Sequence, residues 1–275
     1  MAIEVKNVSF FYSIGTPFEK KALENISFSL EMGENMGILG PTGSGKSTLI
    51  QLLNALLIPT KGEVLIDGLN TRERKNGSKI RELVGVVFQY PENQFFEDTV
   101  YEEIAFGAKN LRLSKEEVDR RVREAIAVVG LPEAILDKSP FELSGGEKRK
   151  VAIASILVRK PKYLVFDEPF AGMDYPGTEA LVKFLKSLRG TVSLIVVTHT
   201  LDELLGLVDK IMFLDNGKMK AFGPVKDIIH FEELRKYVPL AELISLLEQK
   251  GLNFQLNTFE LDHLEEEIVR NVLFS

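Results

Sequence analysis

Residues 35–53 read Asn-Met-Gly-Ile-Leu-Gly-Pro-Thr-Gly-Ser-Gly-Lys-Ser-Thr-Leu-Ile-Gln-Leu-Leu. Asn35–Gly40 has the apolar run of a short buried strand, and Thr48–Leu53 opens a helix. Between them lies G-x-x-x-x-G-K-S, over Gly40, Pro41, Thr42, Gly43, Ser44, Gly45, Lys46 and Ser47. In a strand–loop–helix setting this pattern makes a phosphate cradle. Glycines let the backbone curl with its N–H groups inward, and the helix start adds partial positive charge. Lys46 is expected to reach the β/γ-phosphates and Ser47 to ligate Mg²⁺. At average composition such a pattern arises by chance in about one per cent of chains this long, so the loop is read as a nucleotide site.

Further runs supply the rest of such a site. Tyr163-Leu-Val-Phe-Asp-Glu168 is a strand that ends in two carboxylates. Asp167 is a candidate Mg²⁺ ligand, and Glu168 a candidate to polarise the attacking water. Ser193–Thr198 is a second apolar strand, and His199 at its end is placed for a γ-phosphate. Ligands of open α/β sheets bind at that end of the strands. Val84–Phe88 is a third such strand, followed by Gln89, whose side chain can touch both Mg²⁺ and water. Asn-Lys-x-Asp, the usual guanine reader, is absent, which favours ATP. Tyr12 is either an adenine-stacking ring or a sheet-edge aromatic.

Composition sets the outer limits. The chain has 275 residues, 45% hydrophobic and 27% charged, which suits a soluble globular domain with an appendage. It has no cysteine, so neither disulfides nor thiol chemistry enters. Met1–Lys6 shows no apolar signal region, and no stretch approaches the ~20 apolar residues of a membrane span. A net charge of −6 argues against a broad nucleic-acid face.

The motifs occur in a telling order: Tyr12, the loop at 40–48, Gln89, Leu143-Ser-Gly-Gly-Glu147, the strand at 163–169, Ala171-Gly-Met-Asp174 and His199. That order resembles the ATP-binding subunits of ABC transporters over about residues 1–225. The resemblance implies an α/β P-loop NTPase (RecA-like) core with an antiparallel β subdomain, a helical signature subdomain and a small C-terminal helical extension. The nucleotide core would span 1–89 and 160–225, the helical subdomain 90–159 and the extension 226–275. ATP and Mg²⁺ would be bound by Tyr12, Gly40–Thr48 and Gln89, with Ser47, Gln89 and Asp167 on the metal. Glu168 and His199 would be catalytic.

In this family two subunits pack head to tail. The resemblance therefore implies that Leu143, Ser144, Gly145, Gly146 and Glu147 serve an ATP held by the partner, and that Asp174 crosses the interface. Physics agrees for the first stretch. Ser144 and Glu147 can start a helix, and glycines remove Cβ atoms that would keep a phosphate away. Phe170 and Met173 stand where threonine and leucine are usual, and Glu147 where glutamine is common. None of the three removes a catalytic group.

The segment Phe88–Gly107 and the insertion Gly15–Leu23 are similar to the ATPases of energy-coupling factor (ECF) vitamin and metal importers and their cobalt and nickel relatives. They point to an A′-type subunit. That resemblance implies a second ABC ATPase, as a heterodimer or a homodimer. It also implies a transmembrane T component, a substrate-binding S component and a place on the cytoplasmic face of the cell membrane, with no nucleic-acid partner. Glu92, Glu97, Asp98, Glu102 and Glu103 lie among Phe95, Phe96, Tyr101 and Phe106. They form either a solvated acidic face or a groove for an arginine-bearing helix of the T component.

Another ABC transporter subunit, or a DNA-repair ABC ATPase, is the alternative. The latter usually inserts a long coiled coil, whereas only about a hundred residues, without sustained heptads, separate Lys46 from Ser144. Asp67-Gly68 and Asp215–Gly217 read as hairpin turns. Thr99–Glu102 and Ser114–Glu117 read as capping boxes, with Gly130 a helix stop. Three amphipathic helices are expected in the extension, which also carries His230 and His263. It is too small to bury much alone and is expected to contact the core or the dimer partner.

Overall fold

The computed structural model describes residues 1–228 together with Phe231 and Leu234. Strands β1 (Ala2–Tyr12) and β2 (Lys20–Glu31) form a long hairpin, and β3 (Met36–Leu39) leads through the glycine-rich loop into α1 (Lys46–Leu53). Strands β4 (Lys61–Ile66) and β5 (Leu69–Asn70) turn about Asp67-Gly68, and α2 (Gly77–Leu83) precedes β6 (Val84–Val87). Three helices follow: α3 (Val100–Ala108), α4 (Lys115–Val128) and α5 (Gly145–Leu157). The chain then runs through β7 (Tyr163–Asp167), α6 (Tyr175–Leu188), β8 (Ser193–Thr198), β9 (Lys210–Asp215), β10 (Lys218–Pro224) and the short α7 (Val225–Ile228).

The strands sort into two sheets. One is antiparallel, in the order β2-β1-β4-β5, and the other runs β10-β9-β3-β8-β7-β6. In the second sheet β9, β3, β8, β7 and β6 are mutually parallel and β10 is an antiparallel edge. Parallel strands are covered on both faces, which is why β3, β6, β7 and β8 read as unbroken apolar runs. Alternate residues enter different cores. Tyr163, Val165, Ile195 and Val197 pack with α1 and the antiparallel sheet. Leu164, Phe166, Leu194 and Val196 pack with the helices on the opposite face.

The helical segment is built by caps and one buried face per helix. Val122, Ala125 and Ile126 of α4 and Val151 and Ala154 of α5 are buried together. Gly130, at φ +67°, ends the α4 segment in the left-handed conformation. Thr99 and Ser114 each accept the N–H three residues on. The reciprocal glutamate arm expected at both is missing. Glu102 takes the Thr99 hydroxyl instead, and Glu117 is held by Arg120 and Arg121, whose charged donors outcompete a backbone N–H. Only Ser144–Glu147, of the three, closes as a full box.

The acidic segment after Gln89 also differs from expectation. Glu103 is buried, and its carboxylate accepts from the N–H groups of Phe96 and Glu97, so it fixes the chain entering α3. Glu97 pairs with Lys109. The neighbouring groove, a cavity of about 340 Å³, is lined by Arg81 and Arg159 as well as Glu82 and Glu103. Its charge is mixed. The expected C-terminal helices, His230 and His263 lie outside the described residues, although Phe231 packs on Phe213 and Leu234 is buried. Among the described residues no helix is long and apolar enough to cross a membrane.

Candidate functional site

Because β3, β6, β7 and β8 are parallel and in close register, their C-terminal ends form one rim. Leu39 lies opposite Thr198, Asp167 opposite Val197 and Val87 opposite Phe166. The residue or loop after each strand therefore opens on the same side. A cavity of about 510 Å³ there is lined by Tyr12, Thr42, Gly43, Gly45, Lys46, Ser47, Thr48, Gln89, Asp167, Glu168 and His199. Five separate stretches of sequence thus meet at one place.

The loop's shape depends on glycine at two points. At Gly40 a Cβ would lie 2.0 Å from the Leu214 carbonyl oxygen, and at Gly45 (φ +107°) 2.7 Å from that of Ala22. Gly217, in the turn between β9 and β10, donates its N–H to the Ser44 carbonyl at 2.9 Å and so braces the loop from below. Lys46 turns back over the loop, with Nζ 2.6 Å from the Gly40 oxygen and 3.2 Å from that of Pro41. Burial pushes its pKa down, against the pull of the Glu168 and Asp167 charges. A bound polyphosphate would add its negative charge to that of Glu168 and Asp167 and favour the ammonium form.

Glu168 sits at the hinge of the site. Its carboxylate lies 3.9 Å from Lys46 Nζ and 2.9 Å from His199 Nδ1. Its backbone is left-handed, at φ +49°, a conformation that costs free energy in a non-glycine residue. His199 is exposed and flanks the same opening. The buried Thr198 hydroxyl donates to Glu203 and accepts from Thr200 N–H, which shapes the turn that carries the histidine.

Asp167 is buried, and that burial, with the adjacent Glu168 charge, raises its pKa, while the Ser47 hydroxyl and Lys46 favour the ionised form. A buried acid beside a hydroxyl, with the Gln89 amide lining the same cavity, is a hard-oxygen donor set of the kind Mg²⁺ takes together with phosphate oxygens. Asp167, Ser47 and Gln89 would hold that ion, which when bound neutralises charge on the phosphates.

Tyr12 is half-exposed in the cavity, edge-on to Phe10 at 4.9 Å, with its hydroxyl 3.0 Å from Thr48 Oγ1. That bond ties the ring to the start of α1. Lys20, Lys21 and Asn216 also line the cavity. Sequence reasoning missed them because they sit on β2 and in a hairpin turn, where no motif marks them.

The 143–147 stretch and Asp174 do not line this cavity. Leu143 is buried in the core, whereas Ser144, Gly145 and Gly146 are exposed at the start of α5. Cβ atoms built on either glycine meet nothing within 4 Å. Glu147 is engaged by the Ser144 N–H at 2.9 Å and its hydroxyl at 2.7 Å, which lowers its pKa. Asp174 caps α6, accepting from Gly177 N–H at 2.9 Å. Phe170, in place of the usual threonine, is buried.

Comparison with known proteins agrees with this geometry. The family model described as ABC transporter matches residues 23–171. The energy-coupling factor transporter ATP-binding protein EcfA2 of Caldanaerobacter subterraneus subsp. tengcongensis is 43% identical, over 98% of this chain and 97% of its own length. Its namesake in Acetivibrio thermocellus is 42% identical, over 99% of each. Among solved structures, cbiO1 from Clostridium perfringens, part of the ABC transporter complex cbiONQ, superposes with a TM-score of 0.75 at 34% identity, over 88% of this chain and 98% of that one. The dimeric ATP-binding cassette MJ0796, in a post-hydrolysis state bound to ADP and Pi, gives 0.71 at 30% identity, over 81% and 98%. The chain belongs to the ABC transporter family, as an ATP-binding subunit of the energy-coupling factor type.

Proposed function

We propose that this chain is the ATP-hydrolysing motor subunit of an ECF-type importer for vitamins or transition-metal ions. It lies on the cytoplasmic face of the membrane, pairs with a second ABC ATPase and drives a T component that carries the substrate-binding S component. The observation that carries this is the split of the site. Lys46, Asp167, Glu168 and His199 share one open cavity, while Ser144–Gly146 face outward elsewhere with open space above both glycines.

ATP is held by the 40–48 loop, with Lys46 on the β/γ-phosphates and the Tyr12 ring beside the base. Glu168 polarises the attacking water, and His199 contacts the γ-phosphate and orients the glutamate. The exposed helix start of a second subunit, equivalent to 144–147 here, closes on the other side of the nucleotide. The dimer of MJ0796 with ADP and Pi supports this division of labour between two chains. The groove beside α2, α3 and α5 is offered to the membrane partner. Its mixed charge, with Arg81 and Arg159 among its walls, fits a docking helix that carries both signs.

Affinity purification of this chain from detergent-solubilised membranes tests the assignment. A transmembrane T component and a second ABC ATPase should co-purify. Recovery of only soluble or DNA-associated proteins overturns it.

A further inference from the structure

Glu168 must hold a left-handed backbone, and residues in such conformations persist only where their surroundings over-determine them. Its own N–H donates to Val197 at 2.8 Å, and its carbonyl accepts from Ala171 N–H at 3.2 Å. The next residue, Pro169, has no N–H to offer the turn. Its carbonyl is taken by the Arg149 guanidinium at 2.9 Å, across twenty residues of sequence. Arg149 is half-buried, on the second turn of α5, five residues from Ser144. With Glu168, Pro169, Phe88 and Tyr90 it lines a narrow crevice where the loop after β6 meets the loop after β7.

We propose that Arg149 is a positioning residue for Glu168: its hydrogen bond to the Pro169 carbonyl fixes the turn that aims the carboxylate. The bond also ties that turn to the helix whose exposed start faces the second subunit. The inference rests on the reading of Glu168 as the group that polarises water. The guanidinium does not line the cavity that holds Lys46, Asp167 and His199, so its loss should disturb aim and leave binding intact. A small displacement of a reacting group is enough to slow a reaction by orders of magnitude.

The test is steady-state ATP hydrolysis by the protein purified with its partners, comparing Arg149→Met, Arg149→Lys and Glu168→Gln with wild type, each with its thermal midpoint. Arg149→Met should lower kcat by about 10- to 100-fold with KM for ATP within about threefold of wild type. Arg149→Lys, which keeps a donor near the carbonyl, should recover most of the rate. A general structural role would instead lower the thermal midpoint of both variants without the split between kcat and KM. If Arg149→Met does not fold, Arg149→Lys and Arg149→Gln carry the test, with kcat expected to fall in that order at constant KM. Wild-type kcat in Arg149→Met, or in Arg149→Gln where the methionine variant does not fold, beside an inactive Glu168→Gln, overturns the inference alone. Normal turnover by Glu168→Gln overturns both it and the reading beneath it.

Discussion

At Asp167, burial and the neighbouring Glu168 charge both resist ionisation. A carboxyl whose folded pKa lies above its unfolded value contributes stability at acid pH, and that contribution is lost as pH rises through the folded pKa. The nucleotide-free protein should therefore be held back by this residue at neutral pH. Asp167→Asn should raise its thermal midpoint there. The gain should shrink toward pH 4, and Mg²⁺-dependent turnover should be lost; an unchanged midpoint in a pH series of melting curves counts against the burial argument. Lys46 is pressed the other way, its ammonium disfavoured by burial. Lys46→Ala should weaken ATP binding by at least about tenfold in a titration, since a charge-assisted contact to phosphate contributes about 1.5–3 kcal/mol. These residues were readable in advance because each ends an apolar strand or closes the glycine loop. Arg149 was not: a basic residue inside a helix carries no mark of a partner twenty residues away. Asp174 was read as an interface residue, and its role as the cap of α6 went unread.

Among the elements, α5 is where local and functional demands diverge. Ser144 and Glu147 form a complete capping box, yet the two residues between them are poor helix formers. Among the described residues nothing occupies the space they leave. Gly146→Ala should thus stabilise the isolated chain by about 0.5–1 kcal/mol, seen as a higher denaturation midpoint. In the assembled dimer it should cut ATP turnover by about tenfold or more, because a methyl would stand between the helix start and a phosphate. A variant neither more stable nor slower contradicts that reading. Helix starts were legible here from the capping residues Thr99, Ser114 and Ser144, and Gly130 marked where the α4 segment stops. The fate of glutamates was not. Whether Glu102, Glu103 and Glu117 cap, bury or pair depends on the donors that tertiary structure brings near, and for Glu103 those are the N–H groups of Phe96 and Glu97. The groove shows the same limit, since its acidic residues Glu82 and Glu103 come from α2 and α3 while Arg81 and Arg159 reach it from α2 and from just past α5.

For the whole molecule, the order β10-β9-β3-β8-β7-β6 turns four distant motifs into one rim. Local patterns contain no strand order, so that convergence was reachable only through resemblance to a family whose motifs occur in the same sequence. The same fold leaves the 144–147 stretch outside that cavity, and in the proposed function a second chain completes the site. The most direct test combines mass and turnover on one sample: the Glu168→Gln chain purified with its partners, in MgATP, by light scattering and ATP hydrolysis. If Glu168 polarises the attacking water as proposed, its replacement should slow hydrolysis by about 10²- to 10⁴-fold. The expected result is a stable particle of two ATPase chains that retains intact ATP. A single-cassette particle hydrolysing ATP at the wild-type rate would contradict both the role of Glu168 and the shared site.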